Sequence, residues 1–191
     1  MITLFSLAEG IRTCTACPLY KNRLLAVPGE GPANAKIMFV GEAPGADEDH
    51  LGRPFVGRSG KFLDELMNTV GIKREDVFIT GACKCRPPQN RTPTVSELKT
   101  CRQLWLDQQI EVIKPRVIVL LGSAALRSVL GLERVTPVRG RFIIRNGQQY
   151  FVTYHPAAGM RFPKIGAIMH NDFQQLIQKI KNKKKKLNSP I

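Results

Sequence analysis

Three short apolar runs constrain the fold most: Ile37-Met38-Phe39-Val40, Val77-Phe78-Ile79-Thr80 and Val117-Ile118-Val119-Leu120-Leu121. They are apolar at successive rather than alternate positions, the pattern of strands buried on both faces. Helical periodicity fills the intervals. Phe62, Leu63, Leu66, Met67 and Val70 recur at helical spacing, with Ser59 placed to cap that run and Gly71 to end it. Thr94-x-x-Glu97 is a capping box at the head of a long helix to about Ile113. Ser123 is placed to cap a short helix that Gly131 closes, residues 5–13 read as a helix, and the last helix is expected from about Asn171. Asn146-Gly147, between Phe142–Ile144 and Tyr150–Thr153, signals a β-hairpin. Strands alternating with helices predict an α/β fold: a single-domain, doubly wound αβα sandwich with a mostly parallel central sheet. The domain spans 1–180, and a Lys-rich tail occupies 181–191.

The chain of 191 residues is 43% hydrophobic, enough for one globular core. No apolar run is long enough to cross a membrane, and the N-terminus has no signal-peptide pattern. A cytoplasmic protein is therefore expected, in a compartment where cysteines serve as ligands more often than as disulfides. The net charge of +14 calls for a polyanionic partner, and nucleic acid fits it better than a membrane surface. Association with the nucleoid follows from that expectation.

Cys14-x2-Cys17 is followed after a long gap by Cys85 and Cys101. One close pair and two distant single cysteines form a four-thiolate set that suits zinc or an iron–sulfur cluster, tying the N-terminus to a remote loop. Cys83 is an extra thiol, expected to be a small buried apolar residue.

In doubly wound sheets, ligands bind beyond the carboxyl ends of strands. Three unusual stretches fall there. The turn Gly41-Glu42-Ala43-Pro44-Gly45-Ala46-Asp47 offers backbone N–H groups to an anion or a base edge, with carboxylates beside them. Gly52–Lys61 sets Phe55 in a glycine-rich loop, either as a core residue or as a stacking platform, and Ser59 and Lys61 at the following helix start suit a phosphate. His155, fixed by Pro156, stands at a strand end and is the histidine placed for chemistry, whereas His50 and His170 read as surface residues.

Taken together and in order, Cys14-x2-Cys17, Gly41-Glu42-Ala43-Pro44-Gly45, Arg53-Pro54-Phe55-Val56-Gly57, Lys84-Cys85-Arg86-Pro87-Pro88-Gln89-Asn90-Arg91, Cys101 and His155-Pro156-Ala157 resemble the family 4 uracil-DNA glycosylases, from about residue 5 to about residue 180. The resemblance implies a [4Fe–4S] cluster on Cys14, Cys17, Cys85 and Cys101. It implies a base site formed by Gly41, Glu42, Ala43, Asp47, Phe55, Gly81 and His155, with Phe55 stacked on a flipped uracil and His155 contacting its O2. Glu42 would position the attacking water, with Asn90 as a second polar candidate. Ser59, Lys61 and Arg161 would meet the DNA. The expected partner is uracil-containing DNA, with a sliding clamp or other repair proteins as further candidates, and a monomer is expected. One departure matters: the family's Ile-Thr-Asn reads Ile79-Thr80-Gly81 here, which puts base selectivity in question. The competing readings are a glycosylase of broadened specificity and a non-enzymatic zinc protein that binds nucleic acid.

Overall fold

The computed structural model describes residues 2–187. Its five strands are β1 (Ile37–Gly41), β2 (Phe78–Gly81), β3 (Val117–Leu121), β4 (Phe142–Arg145) and β5 (Gln148–Thr153), in the order β2-β1-β3-β5-β4. β2, β1, β3 and β5 run parallel, and β4 pairs antiparallel with β5 at the edge. Strand side chains alternate between faces, and the apolar runs divide accordingly into two cores. Met38, Val40, Ile118, Leu120 and Val152 enter one core, and Phe39, Ile79, Val119, Leu121 and Phe151 enter the other.

The first core is covered by α1 (Leu4–Thr13), the long helix and α6 (Ser123–Leu130). The second is covered by α3 (Arg58–Thr69), through Leu63, Leu66 and Met67, and by α8 (Pro163–Leu187), through Met169, Phe173 and Leu176. Helices on both faces of a mostly parallel sheet make the doubly wound sandwich that the sequence predicts. No helix among the described residues is long and apolar enough to cross a membrane.

The long helix begins at the expected capping box: Thr94 Oγ1 accepts from the Glu97 N–H at 3.2 Å, and Glu97 accepts from the Thr94 N–H at 2.7 Å. It comprises α4 (Val95–Cys101) and α5 (Asp107–Ile113), joined by a π turn over Arg102–Leu106. Other local expectations shift. Gly57 and Gly122, not Ser59 and Ser123, occupy the N-cap positions, and both serines fall in the first turn. The last helix starts at Pro163 rather than near Asn171, because Pro163 restarts the chain directly after α7 (Pro156–Arg161). Of the Lys-rich tail, residues 181–187 continue α8, and 188–191 lie outside the described residues. His170 is half-buried, edge-on to Phe62, rather than a surface residue.

Candidate active site

β1, β2 and β5 end at Gly41, Gly81 and Thr153, so the three unusual stretches emerge at one sheet edge, where the strand order reverses around β1 and β3. They enclose a cavity of about 370 Å³ whose wall includes Glu42, Ala43, Phe55, Gly81, Asn90 and His155. Gly41 lies behind the Phe55 ring, where a Cβ would come within 2.5 Å of it. Ser59 also lines the cavity, and a neighbouring depression takes in Asp47, Arg58, Ser59, Met160 and Arg161. Asp47 therefore opens beside the base-sized cavity rather than into it. Lys61 is exposed on α3 and lines neither.

Phe55 is buried with a left-handed backbone, φ 51°, which costs a non-glycine residue about 1–2 kcal/mol. Arg74 holds it there, donating to the Phe55 carbonyl at 3.2 Å and the Pro54 carbonyl at 2.6 Å while pairing with Asp64 and Glu30. The ring stands 5.8 Å from the His155 ring, inclined by 32°. Glu48 ties this loop to the first turn: one oxygen accepts from the Val56 and Gly57 N–H groups, both at 2.9 Å, and the other from Gly45 N–H at 3.0 Å. Sequence reasoning passed over Glu48 as one acid among several. The only available signal was its position three residues after Gly45, at the head of α2 (Ala46–Leu51).

His155 is half-buried at the N-cap of α7, and its Nδ1 accepts from the Ala157 N–H at 3.2 Å. Loss of solvation lowers its pKa to about 4, against a smaller opposing effect of the Glu48 charge. The ring is therefore neutral at pH 7. With Nδ1 as acceptor, Nε2 carries the proton and is a hydrogen-bond donor. Burial raises the Glu42 carboxyl above its ordinary value, and its carboxylate has no hydrogen-bond partner among the described residues. Asn90 stands in a turn with Gln89, both left-handed at φ 56° and 54°, and its Oδ1 accepts from Arg86 Nε at 2.8 Å.

On the first core's side, Cys14, Cys17, Cys85 and Cys101 line one small cavity with Ile11 and Trp105. Each sulfur accepts a hydrogen bond. Trp105 Nε1 donates to Cys14 at 3.3 Å, and Arg23 Nη1 donates to Cys85 at 3.0 Å. The Leu19 N–H donates to Cys17, and the Cys83 thiol and the Lys84 N–H donate to Cys101. The Cys83 bond holds the Cys101 thiol below its ordinary value and pushes the Cys83 thiol up. Cys83 is fully buried, as expected, but it lies beyond the end of β2 and touches a member of the set.

Four sulfurs each meeting a donor suit thiolate ligands. One tetrahedral zinc would need its thiolates about 3.8 Å apart, from Zn–S bonds near 2.3 Å. Among the described residues, no three Cys, His, Asp or Glu side chains close on a single ion. Thiolates that each bind a different iron of a cluster sit farther apart, and this donor set fits such a group.

Comparison with known proteins yields a consistent result. A family model described as the uracil DNA glycosylase superfamily matches residues 28–181. A type-4 uracil-DNA glycosylase of Saccharolobus solfataricus is 42% identical over 96% of this chain and 89% of its own. One of Thermotoga maritima is 48% identical over 81% of each chain. A type-5 uracil-DNA glycosylase of Pyrobaculum aerophilum is 36% identical over 69% of this chain and 65% of its own.

Proposed function

The chain belongs to the uracil-DNA glycosylase superfamily, in its type-4 branch, and from that premise we propose that it excises uracil from DNA by hydrolysing the N-glycosidic bond, leaving an abasic site. The base must leave the stack to be reached, at a cost of a few kcal/mol, and the +14 charge of the chain supplies affinity for the strand that offsets it. Arg161 and Ser59 border the depression beside the cavity, where the flanking strand would lie.

The observation that carries the reading is the fixed tautomer of His155. Breaking N1–C1′ leaves negative charge on the uracil oxygens and positive charge on the sugar. A neutral imidazole with its proton on Nε2 donates to O2 as that charge develops and needs no reorientation. Phe55 supplies a flat face for the ring, held in place by Arg74 and Glu48. Glu42, raised in proton affinity by burial, orients a water towards C1′ and accepts its proton, and its charge also favours the cationic sugar.

We also propose that the four cysteines hold a [4Fe–4S] cluster. The hydrogen bonds to all four sulfurs and their shared cavity support it. The group would supply a structural crosslink between residues 14–17 and 85–101, and Arg23 and Trp105 would offset its negative charge.

The test is incubation of the purified, iron-loaded protein with oligonucleotides carrying one uracil, followed by cleavage at abasic sites. Strand breaks are expected, and a drop of about 10²-fold or more in kcat for His155→Ala. No breaks with an intact cluster would overturn the reading.

A further inference from the structure

The polar side chains lining the cavity divide into committed and free groups. Glu48 is committed to three N–H groups. Arg91 is committed to Glu97, at 2.8 and 2.9 Å, and to the Thr92 carbonyl. His155 keeps Nε2–H free. Asn90 is half committed, and its orientation is fixed by its partner: an arginine Nε–H only donates, so the Asn90 atom it meets is the carbonyl oxygen. The amide NH2 is left as a donor at the cavity wall. Its left-handed turn is held by the Asn90 and Arg91 N–H groups on the Pro87 and Pro88 carbonyls, both at 3.1 Å, and by the Arg91–Glu97 pair.

Gly81, also in the wall, presents no side chain. A Cβ there would lie 2.6 Å from the Cys83 carbonyl oxygen, so the backbone has closed over the place where a side chain would begin. Apart from the Glu42 carboxylate and the Ser59 hydroxyl, the free side-chain groups of the cavity are thus two N–H donors, His155 Nε2–H and the Asn90 amide.

We propose that Asn90 is a specificity-determining residue whose NH2 donates to the base carbonyl on the edge away from His155, and that the cavity therefore takes bases with a carbonyl beside a ring N–H, hypoxanthine as well as uracil. This rests on the glycosylase reading above. An exocyclic amine, as in cytosine or adenine, would set donor against donor and leave both unpaired, which is how a hydrogen-bonding site rejects an analogue. A fused purine ring meets no side chain at position 81, and the cavity of about 370 Å³ is open enough to admit it.

The test measures base release from single-stranded oligonucleotides carrying one uracil, hypoxanthine or cytosine, with the native chain, Asn90→Ala and Asn90→Asp. The aspartate keeps the acceptor for Arg86 and loses the NH2. The native protein is expected to release uracil and hypoxanthine and to leave cytosine. Both variants should lose about tenfold or more in kcat/KM on uracil and hypoxanthine, with thermal melting and affinity for abasic-site DNA unchanged. Uracil release undiminished in Asn90→Ala, a parallel fall in abasic-DNA affinity, or a native protein inert on hypoxanthine would each overturn the proposal. A native, iron-loaded protein that releases no uracil would instead overturn the glycosylase reading, so the two failures are distinct.

Discussion

Gly41 and Gly81 are register partners at the carboxyl ends of the neighbouring parallel strands β1 and β2. The cavity floor between these strands is therefore bare backbone. On the Gly41 side the space is taken by the Phe55 ring, and on the Gly81 side by the Cys83 carbonyl.

Gly41→Ala should displace the Phe55 ring, because the new Cβ would fall 2.5 Å from it. A ring moved by about 1 Å costs roughly 10²-fold in rate when it positions the reacting group. Steady-state kcat/KM on uracil DNA checks this, with circular dichroism expected to match the native chain.

Glu48→Ala should weaken folding and activity together. Three backbone N–H groups lose their acceptor, for an expected cost of about 2–4 kcal/mol. Urea unfolding gives the stability loss. Glu48→Gln, which keeps one carbonyl oxygen, should recover part of it.

His155 gives stability a defined pH dependence. Its ordinary value is 6.5, and in the folded chain burial holds it at about 4. Between these values the unfolded chain binds more protons than the folded one, so stability should fall as pH drops from 6.5 towards about 4 and level off below. Urea unfolding across this range should show a shallower slope for His155→Gln.

The cysteine set predicts a pattern of iron retention. Cys14→Ala, Cys17→Ala, Cys85→Ala and Cys101→Ala should each lose iron, while Cys83→Ala should keep it. Arg23 donates to Cys85 and to the Cys14 and Arg12 carbonyls, at 3.0, 2.8 and 2.7 Å. Arg23→Gln should release iron to a chelator about tenfold faster, as loss of an outer partner of a metal ligand does. Equal release rates would show that the Arg23 bonds do not hold the site together.

The parts of the fold legible in the sequence are those set by local pattern. The strands at Ile37–Val40 and Val117–Leu121, the hairpin at Asn146-Gly147 and the Thr94–Glu97 box depend on neighbours close in the chain. The sheet edge shared by residues 41–47, 81–91 and 155 followed from those strands and one rule about where ligands bind. The supports of the site were not legible. The Arg74 bonds to Phe55 and Pro54, the Glu48 bonds to Val56 and Gly57 and the Arg23 bond to Cys85 join residues 8 to 62 positions apart, and no periodicity encodes such pairs. The left-handed conformations of Phe55 and Asn90 were hidden for the same reason: they are imposed by distant partners and run against each residue's own preference.

The four cysteines at one cavity also fix what a broken chain would do. Glu42, Phe55 and Gly81 all lie between Cys17 and Cys85 in sequence, and Asn90 and His155 lie beyond. Once the thiolates share one metal group, a peptide bond cut anywhere between Cys17 and Cys85, in the Arg53–Arg58 loop for instance, leaves two fragments that are still tethered to each other. A cut after Cys101 has no such tether. A nicked protein of the first kind should migrate as one species until its iron is removed, and then as two.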